Sequence, residues 1–297
     1  MRAVTSRFDA RDEQELDAGL EAAREALTDN RCIVMPTDTV YGIAADAFSS
    51  QAVATLLAAK GRGRAMPPPV LIPQAATLDG LAVDVPDYAR ELAEKFWPGA
   101  LTLILHAQPS LTWDLGETRG TVALRVPDDE VARALLRTTG PLAVSSANRT
   151  GNRAADTAEE AFAQLGESVE VYLEAGPRPG AGGGMSSTII DCTLTPPRVV
   201  RQGALGLEEL RTVVPELLDV HGESDPHLPI PESTDPDSED PAPTESTEPA
   251  QDSAQPGSGT GYAPGAEGAN GTPSTDANPV AADTQDGTGA GETARAS

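Results

Sequence analysis

The sequence contains few aromatic residues, few cysteines, almost no lysine and no long apolar run. Only ten of its 297 residues are aromatic, and only two are cysteine. No window of 18 consecutive residues is apolar, so no segment is predicted to span a membrane. Two cysteines do not make a disulfide framework, and no cysteine–histidine cluster has zinc spacing. Since the N-terminal residues also lack the apolar centre of a secretory signal, the sequence predicts a cytoplasmic protein.

Acidic residues are in large excess, and the excess is concentrated at one end. The chain has 46 acidic and 21 basic residues, for a formal net charge of −25. Residues 221–297 hold 15 acidic side chains, one arginine and four large apolar residues. Such a segment cannot bury enough apolar surface to offset its chain entropy. We therefore expect a folded domain over residues 1–220 and a disordered acidic tail over 221–297, solvating or partner-binding. Little direct nucleic-acid binding is expected from this charge.

The hydrophobic pattern predicts a mixture of helices and strands that does not alternate strictly. Such a mixture favours an α/β domain with a mixed sheet over a doubly wound Rossmann fold. The predicted helices cover residues 12–29, 51–60, 86–95, 128–136 (capped by Asp128), a segment after the Thr157–Glu160 capping box, and 207–218. The predicted strands cover residues 32–36, 70–72, 100–105, 121–126, 141–148, 169–173, 188–192 and 199–201.

Four polar or glycine-rich clusters follow predicted strands or helices, where α/β proteins place ligands. They cover residues 37–42, 60–64, 145–151 and 180–188. The second cluster, Lys-Gly-Arg-Gly-Arg, can surround a polyphosphate, because arginine binds phosphate in a fork and lysine adds a point charge. Each cluster alone is also compatible with an ordinary turn or a solvated loop.

Covalent catalysis has little support in the sequence. His106 completes no Ser-His-Asp arrangement, and Cys32 lies in an apolar run typical of core packing. No pair of carboxylates stands out as an acid–base dyad. Cations, hydroxyls and amides without a nucleophile are typical of phosphoryl or nucleotidyl transfer, which depends on positioning and charge neutralisation.

In combination, seven motifs of this chain resemble one family. The sequence is similar, in order, to the YrdC-like threonylcarbamoyl-AMP synthases over roughly residues 19–210. The ordered set is specific, whereas each piece alone is not. The motifs are PTDTVYG (36–42), KGR (60–62), FWPGALTLIL (96–105), TVALRVP (121–127), SAN (146–148), STIID (187–191) and VVRQGA (199–204).

The resemblance implies a fold and a reaction. The expected fold is a single twisted α/β domain with a basic concave groove. The expected reaction joins L-threonine, bicarbonate and ATP into threonylcarbamoyl-AMP and pyrophosphate. Other proteins would use that product to modify adenosine in tRNA. Lys60, Arg62 and a Mg²⁺ ion would offset the charge of the triphosphate.

The resemblance also implies roles for nine residues, none of them a metal ligand. Lys60 and Arg62 would be catalytic and are expected to lie outside the core. Threonine would be bound by Thr39, Arg125 and Ser187, and the nucleotide by Arg62, Thr121, Ser146, Asn148 and Arg201.

The sequence departs from the family pattern at three of its positions. Met66 replaces a lysine or asparagine, Leu71 a histidine and Ala154 a serine. A non-catalytic RNA-binding or translation-associated module, using the same basic groove, is the alternative reading. The acidic balance and the scarcity of aromatic platforms argue against that alternative.

Overall fold

The computed structural model describes residues 5–178 and 185–225, which form one large mixed sheet with helices packed on it. Its strands are β1 (Ser6–Asp9), β2 (Ile33–Met35), β3 (Gly42–Asp46), β4 (Val70–Leu71), β5 (Ala82–Val83), β6 (Leu101–Ala107), β7 (Thr121–Arg125), β8 (Leu142–Ser146), β9 (Val171–Glu174), β10 (Thr188–Asp191) and β11 (Arg198–Arg201). Its helices are α1 (Glu13–Thr28), α2 (Ser50–Lys60), α3 (Leu78–Leu81), α4 (Asp87–Phe96), α5 (Glu130–Thr139), α6 (Ala158–Leu165) and α7 (Leu207–Arg211). No helix in these two ranges has the length and apolarity that a membrane crossing requires.

The sheet contains both parallel and antiparallel pairs, as the sequence predicts for a mixed-sheet α/β domain. Its strand order is β1-β9-β2-β3-β8-β4-β7-β6-β10-β11, and β5 pairs with β6 beside this path. Strand β6, for example, pairs in parallel with β10 and antiparallel with β7. The predicted fold class is confirmed.

Helices cover both faces of the sheet. The three residues of β2 illustrate this, because their side chains pack against helices on opposite faces. Ile33 and Met35 belong to a buried cluster that includes apolar residues of α1 and α5. Val34, which points to the opposite face, belongs to a second cluster with residues of α2, α4 and α6. Since successive side chains of a strand alternate between faces, a strand covered on both sides is a continuous apolar run.

Two helix predictions are corrected. The predicted cap of α5, Asp128, lies one residue too early, because the Asp129 carboxylate accepts the backbone N–H of Ala132 at 2.9 Å. The helix predicted over 207–218 ends at Arg211. After it the chain turns so that Leu218 can form a β-bridge with Arg198.

Sequence reasoning missed three strands, β1, β3 and β5. The sequence of β3, Gly-Ile-Ala-Ala-Asp, is poor in β-branched and aromatic residues, which mark strands locally. Its strand conformation comes instead from pairing with β2 on one side and β8 on the other. Tertiary pairing therefore overrides local propensity at this strand.

The described chain continues past residue 220, where the sequence places the end of the domain. The Asp219 backbone N–H donates to the Glu223 carbonyl at 3.0 Å, and the Arg211 guanidinium donates to the same carbonyl at 3.2 Å. Hydrogen bonds between described residues therefore extend to Glu223. The predicted acidic tail beyond residue 225 and the glycines of residues 180–184 lie outside the described residues.

Candidate active site

An open cavity of about 290 Å³ lies over one face of the sheet. Alternate residues of two antiparallel neighbours form its floor, Thr102 and Ile104 on β6 with Thr121, Ala123 and Arg125 on β7. Alternate positions on a strand share a face, so these five side chains line the same side of the sheet. The strand pattern thus places polar side chains beneath a ligand-sized space.

Seven of the nine residues that the resemblance implies line this cavity, and two do not. Lys60 and Asn148 are buried nearby and contribute no lining surface. The seven lining residues come from segments far apart in sequence: Thr39, Arg62, Thr121, Arg125, Ser146, Ser187 and Arg201.

Arg125, at the end of β7, is buried and held by three oxygen acceptors. Its Nη2 donates to Asp38 Oδ1 at 2.6 Å, its Nη1 to Thr39 Oγ1 at 3.2 Å, and its Nε to the Gly99 carbonyl at 2.8 Å. The Asp38 carboxylate also accepts the Asp128 backbone N–H at 3.0 Å. These contacts fix the plane of the guanidinium at the cavity wall, and the second hydrogen of each Nη has no acceptor among the described residues.

Arg201, at the end of β11, is anchored to the residue before β10. Its Nε and Nη2 donate to the Ser187 carbonyl at 3.0 and 2.8 Å, and Nη2 also donates to Ser187 Oγ at 3.0 Å. Although Arg201 is exposed as a whole, its charged end is partly buried over the cavity. Burial, followed by the charges of Arg125 and Arg62, lowers the pKa of Arg201.

Arg62 reaches the cavity from the loop after α2. That loop begins at Gly61, which ends the helix with a left-handed backbone (φ 62°) that glycine adopts without strain. Arg62 Nη1 donates to Ser145 Oγ at 3.2 Å, and its buried Nε has no partner among the described residues. A buried donor without an acceptor is costly, so an anionic ligand would satisfy this group.

Lys60 is only 1% exposed, so the prediction that it lies outside the core is wrong. Its ammonium group donates to the carbonyls of Ser146 and Asn148, and its own carbonyl accepts the Thr150 backbone N–H at 2.9 Å. Burial, and then the charge of Arg62, lowers the pKa of Lys60 to about 7. Lys60 therefore holds the end of β8, at Ser146, and the turn that follows it.

Asn148 also stabilises the turn after β8. Its side-chain amide donates to the carbonyls of Arg149 at 2.9 Å and Asn152 at 2.8 Å, which closes the turn after β8. Its buried Oδ1 has no partner among the described residues. The structure does not bring Asn148 into the cavity wall, whereas neighbouring Ser146 is part of it.

The positive charge of the cavity is concentrated on three arginines. Arg62, Arg125 and Arg201 line it, and no aspartate or glutamate of the described chain does. Burial lowers the pKa of Arg62, and it lowers that of Arg125 against the opposing effect of Asp38. Crowded, partly desolvated cations attract an anion, which would relieve their mutual repulsion.

The described residues do not supply a magnesium site of their own. No group of three or more histidine, cysteine, aspartate or glutamate residues among them could hold a metal ion. Mg²⁺ prefers oxygen ligands, particularly carboxylates, and none of the described residues that line the cavity carries a carboxylate. This donor set does not fit a protein-held Mg²⁺ ion.

The three departures from the family pattern fall in different places. Leu71, on β4, lines the cavity, so an apolar side chain stands where the family has histidine. Met66 is 48% exposed and lies outside the lining, and Ala154 is half-buried outside it too.

Sequence reasoning missed two side chains that organise the site. Asp38 lay in a recognised polar cluster, but its pairing with Arg125 joins segments 87 residues apart. Thr102 lay inside a predicted strand. Alternate residues of two paired strands share one face of the sheet, so pairing of this strand with the one that carries Thr121 and Arg125 was the signal that could have identified Thr102 as a site residue.

The fold and the cavity define an α/β protein with an arginine-lined cavity over one face of a mixed sheet. A sequence model of the Sua5/YciO/YrdC family, described as "Telomere recombination", matches residues 25–203. Because this match covers more than half of the chain, the protein belongs to the Sua5/YciO/YrdC family.

Individual relatives agree with this assignment. The chain is 50% identical over 211 residues to a putative threonylcarbamoyl-AMP synthase of Mycobacterium tuberculosis H37Rv, covering 71% of this chain and 96% of the relative. It is 35% identical to threonylcarbamoyl-AMP synthase of Bacillus subtilis, covering 67% and 57%. The structure of P. abyssi Sua5 complexed with L-threonine superposes with a TM-score of 0.66 and 31% identity, covering 75% of this chain and 65% of that one.

Proposed function

We propose that the protein is a threonylcarbamoyl-AMP synthase, a nucleotidyltransferase that forms threonylcarbamoyl-AMP and pyrophosphate from L-threonine, bicarbonate and ATP. The observation that carries the proposal is the cavity with three arginines, because two of the three substrates are anions and the third carries a carboxylate. The names of the curated relatives support the reaction, and the P. abyssi Sua5 complex supports threonine as a substrate. They favour the enzyme over an RNA-binding module.

The threonine end of the site lies at Arg125. The guanidinium, already oriented by Asp38 and Gly99, presents its remaining N–H groups to the carboxylate of threonine. Thr39 stands beside it, with its hydroxyl 3.2 Å from Arg125 Nη1. A bidentate arginine–carboxylate pair fixes orientation as well as charge.

The nucleotide end lies at Arg62, with Thr121, Ser146 and Arg201 around it. The threonine amine and bicarbonate first form a carbamate with loss of water. A carbamate oxygen then forms a bond to the α-phosphorus of ATP, the bond from the α-phosphorus to the oxygen that bridges to the β-phosphate breaks, and pyrophosphate leaves. Arg62 Nε, which has no acceptor among the described residues, donates to the phosphates as charge moves onto the leaving group. Lys60 acts indirectly, because it holds the backbone on which Ser146 stands. No step is assigned to a protein-held metal.

Product formation tests this proposal directly. The purified protein is incubated with ATP, L-threonine and bicarbonate, and pyrophosphate and the adenylated product are measured, the latter by mass spectrometry. We expect both only when all three substrates are present. L-Valine, which lacks the hydroxyl group, serves as the matched amino-acid control, and we expect it to be a poor substrate. Pyrophosphate release independent of threonine, or a product without the threonylcarbamoyl group, would overturn the proposal.

A further inference from the structure

A buried hydroxyl pair lies at the cavity floor, between Thr102 of β6 and Ser187. The strands β6 and β10 run parallel, with Thr102 opposite Ile189. Ser187 comes two residues before Ile189, so it lies on the same face of the sheet as a diagonal neighbour of Thr102. The two hydroxyl oxygens are 2.8 Å apart. Thr102 is 0% exposed, and Ser187 is 4% exposed. Both side chains line the cavity.

The direction of this hydrogen bond follows from the partners of each oxygen. Arg201 Nη2 can only donate, so Ser187 Oγ is its acceptor, at 3.0 Å. In the described part of the chain, Ser187 Oγ is the only partner of the Thr102 hydroxyl. If Ser187 donated to Thr102, the proton of the 0% exposed Thr102 would have no acceptor among the described residues, which is costly for a buried group.

When Thr102 is the donor, its buried hydroxyl proton has an acceptor, which makes this the favoured arrangement. Ser187 Oγ then accepts two hydrogen bonds, one from Arg201 and one from Thr102, which occupy both of its lone pairs. The Ser187 proton then has no acceptor among the described residues, and Ser187 lines the cavity, so a bound substrate can accept this proton. Two donors on one hydroxyl, one of them cationic, polarise it and strengthen its own donation.

We propose that Thr102 is a positioning residue that makes Ser187 a hydrogen-bond donor to an anionic oxygen of a bound substrate. The oxygen belongs to the carboxylate of the amino acid or to a phosphate of the nucleotide. The inference rests on the proposed function and adds a residue, and a proton direction, to its site. Ser187 cannot accept a further hydrogen bond from threonine in this arrangement.

Substitution of Thr102 separates its hydroxyl group from its packing. Thr102→Val keeps the shape and the β-branched side chain, whereas Thr102→Ser keeps the hydroxyl. We expect Thr102→Val to raise the KM of one substrate about tenfold, as for the loss of one hydrogen bond to a charged group, with kcat changed far less. A rise in the KM of threonine identifies the carboxylate, and a rise in that of ATP identifies the phosphate. Thr102→Ser is expected to remain within about twofold of the wild type.

A double-mutant cycle shows whether Thr102 acts through Ser187. In a Ser187→Ala background, Thr102→Val is expected to have no further effect on KM, since the group that it positions is absent. Wild-type KM values in Thr102→Val, equal impairment of Thr102→Ser, or multiplying effects in the double variant would each overturn the proposal. Calorimetric titration of the same variants with threonine and with a non-hydrolysable ATP analogue gives the same readout without turnover, so failure of the proposed reaction remains distinguishable.

Discussion

At the scale of single residues, Arg125 and Asp38 are a coupled pair. The Arg125 side chain is 7% exposed and that of Asp38 is 13% exposed, and Nη2 and Oδ1 are 2.6 Å apart. Breaking a buried pair by removing one partner leaves an uncompensated charge and costs about 3–5 kcal/mol. Arg125→Ala therefore mixes a loss of stability with any loss of threonine binding.

Arg125→Lys isolates the binding role. The charge opposite Asp38 is kept, but lysine lacks the planar fork that binds a carboxylate through two hydrogen bonds. We expect the KM of threonine to rise by about tenfold or more, which corresponds to about 1.4 kcal/mol, while the KM of ATP stays within about twofold. Steady-state kinetics with each substrate varied in turn gives both values. Equal rises in the two would place Arg125 outside the threonine subsite.

Lys60 predicts a specific dependence of stability on pH. Its pKa falls from 10.5 to about 7 on folding, mainly through burial. Between these two values the unfolded chain binds the proton that the folded protein has released, so this group makes stability rise with pH. Lys60→Met removes the effect. Urea unfolding of both proteins at pH 7 and pH 9 is expected to show the wild type gaining more stability than the variant, whereas equal changes would contradict the low pKa.

At the scale of secondary-structure elements, the N-terminus of α5 depends on one carboxylate. Asp129 Oδ1 caps the helix at Ala132, and Oδ2 pairs with Arg178 at 2.8 Å. Arg178 also donates to the Thr37 carbonyl at 3.2 Å, which ties the cap to the loop bearing Thr39.

Asp129→Ala should therefore destabilise the domain by about 2–4 kcal/mol, through loss of a cap and of a buried ion pair. Asp128→Ala is the matched control, since the Asp128 side chain is 61% exposed and its pair with Arg133 spans 3.6 Å. We expect that control to change stability by less than about 1 kcal/mol. Urea-induced unfolding measures both, and similar losses in the two variants would contradict this account of the cap.

Local sequence predicts elements well where apolar periodicity and capping signals agree. Helix α2 and its end at Gly61 follow from such signals. Strand β3 and the short α7 do not follow from local signals, because long-range pairing determines them: β3 pairs with β8, and Leu218 forms a bridge with Arg198.

In the candidate site, the sequence motifs indicated which residues line or support the cavity. They could not show that Lys60 points into the loop backbone, since that depends on how α2 meets the turn after β8.

At the scale of the whole molecule, the sheet order brings distant segments together. Strand β1 pairs with β9, more than 160 residues later, and the cavity draws on loops and strands from Thr37 to Arg201. Local sequence patterns do not encode such long-range pairings, so the strand order could not be predicted from the sequence. The family resemblance predicted which residues belong to the site, whereas only the folded structure gives their positions relative to one another.

We propose that the acidic C-terminal residues 226–297 are not needed for the stability or the activity of the rest of the chain. Residues 226–297 contain few large apolar residues, and such composition does not support a packed core. Deleting them is expected to change the melting temperature by less than about 2 °C and the rate of pyrophosphate release by less than about twofold. Thermal unfolding and turnover of the two chain lengths provide the comparison. A large loss of either property would show that the segment contributes to the domain.

The central claim is that the arginine-lined cavity is where ATP reacts, and Arg62 offers its most direct test. Arg62 lines the cavity, whereas Arg64, two residues later, is exposed and pairs with Asp114. The measurement is threonine-dependent pyrophosphate release by Arg62→Ala and by Arg64→Ala, with circular dichroism confirming that both fold. We predict a loss of about 10²–10³-fold for Arg62→Ala and a near wild-type rate for Arg64→Ala. A folded Arg62→Ala variant that turns over at the wild-type rate would contradict the claim.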